Sequence, residues 1–146
     1  MKDLSRPCSE CAFSRSSTPG ELGGSHADVY IGQCYGPFFI PCHMTYEVND
    51  EELRRNLHCT GGCAGAAVFR ANCGWDSAMP PGINKLPADH EAVFSSPAEF
   101  VAHHLQISVE DAKRRLAKTP PVELLQVELQ KAEVRFLNPD RTPRPD

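Results

Sequence analysis

Apolar positions recur at helical spacing through the last third of the chain and lose that order before it. Ser96-Pro97 pairs an N-cap residue with proline at the first helical position. It predicts a helix through Phe100, Val101 and Leu105. Ser108-Val-Glu-Asp111 predicts a second helix, with Ala112 and Leu116 inward. Pro120-Pro121 opens a third, along which Val122, Leu125, Leu129, Ala132 and Phe136 recur at helical spacing. Leu125, Val127 and Leu129 also alternate, as a strand would. The Glu, Leu, Gln and Lys content favours the helix.

Upstream the pattern is broken. Residues 1–25 read as loop, with a tight turn at Pro19-Gly20. Asp28-Val-Tyr-Ile31 predicts a short strand. Gly36-Pro-Phe-Phe-Ile-Pro41 is apolar but interrupted by proline, as an edge strand or extended segment would be. Asn49-Asp-Glu-Glu52 caps and charges the start of a helix carrying Leu53 and Leu57 on one face. A further helix starts at Cys63 and runs to Ala71. Residues 72–92, with Trp75 and Pro80-Pro-Gly82, read as a long loop.

The expected fold is therefore α-rich with minor β. It is one small metal-stabilised domain over 1–137: a loop-rich, cysteine-rich part (1–92), a helical part (93–137), and a flexible tail (138–146). Thirteen prolines and ten glycines, mostly in the first ninety residues, weaken the core there. A metal staple would offset that weakness.

A net charge of −4 argues against strong non-specific nucleic-acid binding. No secretory segment is visible, and no apolar run approaches the ~18 residues of a membrane span. The expected location is cytoplasmic, where thiols stay reduced and a Cys-x-x-Cys points to metal or redox chemistry.

Cys8 and Cys11 form that pair in a chain of seven cysteines. A metal or cluster needs about four thiolate or imidazole ligands. Cys42 is held between Pro41 and His43 on a rigid extended segment. Cys63 sits at a helix N-terminus, which stabilises a thiolate. The expected ligand set is Cys8, Cys11, Cys42 and Cys63, with Cys59 and His43 in reserve. Cys34, Cys59 and Cys73 read otherwise as small buried residues.

Arg6-Pro-Cys-Ser-Glu-Cys-Ala-Phe13, Pro19-Gly20, Phe39-Ile-Pro-Cys-His43 and Cys63-Ala-Gly65 resemble the motifs of a family of small bacterial and phage proteins. That family carries Cys-Pro-x-Cys-Pro-Phe-Arg, Phe-x-Cys-His and Cys-Ala-Gly. The resemblance covers roughly the first half of the chain and implies a four-cysteine site, but no reaction. Ser9 and Ala12 stand where the family often has proline, and Arg15 falls one place late.

Zinc and a [4Fe-4S] cluster both accept four thiolates. The radical-generating Cys-x3-Cys-x2-Cys signature is absent, because residue 66 is alanine. A thioredoxin-like role for Cys8-x-x-Cys11 lacks a preceding strand, since residues 1–7 are short and polar. Neighbouring Cys42 and His43 would point to opposite faces of an extended segment. His103 and His104 do not share a helix face and read as solvated or partly packed.

A helix-turn-helix over 97–117 has Lys113-Arg114-Arg115 in its favour. Against it stand Glu110 and Asp111 in the first turn, and Arg115 where an apolar residue is wanted. A helical hairpin packed on the core is the better reading. The expected function is metal binding that organises a surface for a macromolecular partner, protein or nucleic acid. A cluster-dependent redox or nucleic-acid-processing enzyme, and a DNA-binding regulator, are the alternatives.

Overall fold

The structure, a computed structural model, describes residues 11–22, 24–38, 40, 63–81, 83 and 85–137, with side chains to residue 132. The helix expected after Asn49 and the tail from 138 lie outside these residues. The described chain is α-rich. Five helices run in order: α1 (Ala27–Tyr35), α2 (Ala64–Cys73), α3 (Pro97–Leu105), α4 (Val109–Lys118) and α5 (Pro121–Leu137). A 3-10 turn at Asp76–Ala78 interrupts the long loop between α2 and α3.

The starts of α2 to α5 follow their local signals. Ser96 Oγ accepts from Glu99 N with Pro97 behind it, and Ser108 Oγ accepts from Asp111 N. Gly74 closes α2 in the left-handed region, at φ 77°.

The strand expected over Asp28–Ile31 is instead the first turns of α1. His26 Nδ1 accepts from Asp28 N and caps the helix. Ala27, Ile31 and Cys34 are buried along one helical stripe. The β-branched Val29 and Ile31 favour a strand locally, but packing of that stripe decides the matter.

Helix α5 lies against α1 with little between them. A Cβ on Gly32 would stand 2.6 Å from the Leu124 carbonyl oxygen. Among the described side chains of α5, Leu124 and Glu128 are buried, while Val122 and Leu129 are exposed. The helical spacing is real, but the face turned inward is offset from the regular apolar positions.

The two expected parts of the chain share one core. Phe13, Phe69 and Phe100 are fully buried, and their ring centroids lie 5.2 to 5.6 Å apart. Phe13 comes from the N-terminal loop, Phe69 from α2 and Phe100 from α3. Such aromatic clusters bury large apolar areas and prefer these tilted or offset arrangements. No described helix is long and apolar enough to cross a membrane.

Candidate metal centre

Phe13 anchors the loop that carries Cys11 two residues upstream. Backbone bonds fix its path: Arg15 N donates to Ala92 O at 2.9 Å and Phe94 N to Phe13 O at 3.2 Å. From the other side, α3 grips the loop with its two histidines. His104 Nδ1 accepts from Gly20 N at 3.0 Å, so its Nε2–H donates to Ala12 O at 2.8 Å. His103 Nε2 lies 2.8 Å from Ser17 O and donates to it. His104 is buried rather than solvated. Burial holds it below the ordinary histidine range, the bond to Ala12 opposes this, and His103 adds to it.

The loop delivers Cys11 to the start of α2. Cys11 Sγ and Cys63 Sγ lie 3.4 Å apart, 52 residues apart in sequence, and both are buried. This is longer than a disulfide bond of about 2.05 Å. Cys63 is the N-cap of α2, in extended backbone. Its amide donates to Ile40 O at 2.7 Å, which brings the segment before residue 41 alongside. Gly65 makes the approach possible, because a Cβ there would overlap Cys11 Sγ and crowd Phe13.

The Cys63 thiol is held below the ordinary cysteine range. The bond from Cys11 lowers it, burial opposes, and the amides of Ala66 and Gly65 and the charge of Arg70 lower it further. Cys34 and Cys73 behave oppositely. Burial pushes Cys34 up to about 12 against the pull of Arg70. Burial also raises Cys73, at the far end of α2, with Cys34 adding to it.

Of the four expected ligands, Cys11 and Cys63 are brought together. Cys8, Cys42 and the reserves Cys59 and His43 lie outside the described residues. Among the described residues no group of three or more His, Cys, Asp or Glu side chains could hold a metal. Two thiols and a glycine cradle fit half of a four-thiolate centre. Cys34 and Cys73 pack at or against the core, as expected of non-ligand cysteines.

Sequence reasoning missed Arg70. It is buried within α2, where Nε donates to Cys34 O at 2.9 Å. Its Nη2 lies within 3.1 Å of the carbonyls of Gln33, Gly36 and Phe38. The available signal was its place two helical turns after Cys63.

In the helical hairpin α3–α4, the basic run of α4, residues 113–115, is engaged. Arg115 pairs with Asp28 on α1, Arg114 with Asp111, and Lys113 with Glu110. No family model, curated protein or solved structure matches the chain.

Proposed function

We propose that the chain is a metal-binding protein whose four-cysteine centre, Cys8, Cys11, Cys42 and Cys63, orders a surface for a macromolecular partner. The observation that carries this reading is the 3.4 Å approach of two buried thiols across 52 residues. Short tethers support the other two ligands: Cys8 is three residues before Cys11, and Cys42 is two after Ile40, whose carbonyl accepts from Cys63.

The separation favours a single ion over a cluster. Tetrahedral zinc with bonds of about 2.3 Å sets neighbouring sulfurs roughly 3.8 Å apart. In a cubane each thiolate binds a different iron, so the sulfurs stand farther apart. Reduced thiols suit a cytoplasmic location. The exposed Val122, Val127 and Leu129 of α5, with a net charge of −4, support a protein partner over nucleic acid.

Metal analysis of anaerobically purified protein tests this. One zinc per chain in colourless protein, lost in Cys63→Ser, is the expected result. Brown protein absorbing near ~400 nm replaces zinc with a cluster. A chain that acquires neither metal, even when supplied with both, has no such centre.

A further inference from the structure

We propose that α1, α4 and α5 form a docking groove for an acidic peptide segment of a partner protein, one that carries carboxylate and apolar side chains together. This takes up the macromolecular partner of the reading above and rests on that part alone, not on the metal.

Two hollows, of about 450 and 360 Å3, lie side by side on this face. Each falls within the ~300–1,000 Å3 range of ligand-binding clefts. They meet at the 3.0 Å ion pair of Asp28 and Arg115, residues that line both. The two differ in character. The first is walled by Arg114, Lys118 and Thr119, with Leu116 as its apolar component. The second is lined by Val29, Leu124 and Val127. Leu124 is buried and Val127 is 44 % exposed, so apolar surface there runs from the core out to solvent.

Charge selects the occupant. The chain as a whole carries −4, yet four cations face three carboxylates along this groove. Three of the cations are spent: Arg114 on Asp111, Arg115 on Asp28 and Lys131 on Glu128. That uses every carboxylate lining the groove. Among the described residues no ion pair engages Lys118. One unmatched positive charge beside apolar surface is complementary to a carboxylate next to an apolar side chain. The rest of the chain is acidic on balance and repels such a segment, which directs it to this face. Nucleic acid fits less well. Asp28, Asp111 and Glu128 would meet its phosphates, and no Phe, Tyr or Trp is among the described lining residues to stack on a base.

Fluorescence anisotropy of a labelled octapeptide, Glu-Glu-Leu-Leu repeated twice, tests the groove with the full chain. Its repeat alternates acidic and apolar side chains along each face of an extended peptide. Saturable binding that weakens as salt rises is expected. Peptides with lysine in place of glutamate, or serine in place of leucine, should bind at least tenfold more weakly, and an oligonucleotide of similar length likewise. Lys118→Glu should lower affinity about tenfold, since it removes an attraction and adds a repulsion. Val127→Ser should lower it about threefold through lost apolar contact. Val109→Ser, equally exposed on α4 but outside the groove, should bind as wild type. All three side chains are exposed, so the helical signal should be unchanged. No saturable binding, equal affinity for the lysine peptide, tighter binding of the oligonucleotide, or wild-type affinity in Lys118→Glu overturns the groove. A chain that acquires no metal yet binds the peptide keeps the groove and loses the metal centre. A zinc-loaded chain that does not bind it loses the groove alone.

Discussion

Cys63 and Cys73 stand at opposite ends of one helix and are opposite in character. Cys63 is buried and Cys73 half-buried, yet it is the deeper thiol that is acidified and the shallower one that burial drives the other way. At the N-terminal end, open amides face the sulfur, and Cys11 supplies a hydrogen bond. At the C-terminal end those amides are spent, and burial acts alone with a neighbouring thiol to reinforce it. Depth therefore does not distinguish a ligand cysteine from a packing cysteine. The position along the helix and the groups facing the sulfur do.

The largest expected disruption of this contrast comes from Phe13→Ala. Removing the ring should cost about 3–5 kcal/mol in chemical denaturation, the usual range for a buried phenylalanine. It should also release Cys11, so that Cys63 loses its partner while Cys34 keeps its surroundings. Gly65→Ala is next, at roughly 1–3 kcal/mol, because the new methyl meets Cys11 Sγ. Alkylation of the metal-free protein should then reach Cys11 before Cys34. Equal protection of both would mean that Gly65 does not hold Cys11 in place.

Titration sharpens the contrast directly. In metal-free protein, ultraviolet thiolate absorbance should show a step below the ordinary cysteine range that Cys63→Ser abolishes. Cys34→Ala should leave that step in place, since Cys34 ionises only near 12. A step that survives Cys63→Ser would reverse the assignment.

The smallest effect is that of acid. His104 is held neutral in the fold, below its ordinary value near 6.5. The unfolded chain therefore takes up the proton first. Stability is complete above about pH 6.5 and falls as pH drops from there toward the folded value. Protonation also removes the Nδ1 acceptor for Gly20, which loosens the Cys11 loop and leaves Cys34 and Cys73 in place. His104→Gln should flatten this part of the stability profile.

Much of this was legible from residue order. Ser96-Pro97, Ser108 and Pro121 marked helix starts because caps act locally. Cys11 and Cys63 could be singled out for the same reason: a turn motif and a helix N-terminus are local features, whereas their 3.4 Å approach is a long-range fit. Helix α1 was not, because Val29, Tyr30 and Ile31 favour a strand until Ala27, Ile31 and Cys34 find a core to pack on. The inward face of α5 was also hidden. It depends on the close approach at Gly32, a long-range fit that no spacing within α5 encodes. Arg70 was hidden because its partners are backbone carbonyls, which leave no trace in side-chain chemistry.

The approach of Cys11 to Cys63 also bears on the unfolded chain. Joining the two through one shared ion would close a loop of 52 residues. By the loop-closure estimate used for crosslinks, that removes roughly 4 kcal/mol of conformational freedom from the denatured ensemble. The gain is independent of any contact in the folded state. Restricting the disordered alternatives of this glycine-containing segment is comparable in size to the contribution of one ring of the aromatic cluster beside it.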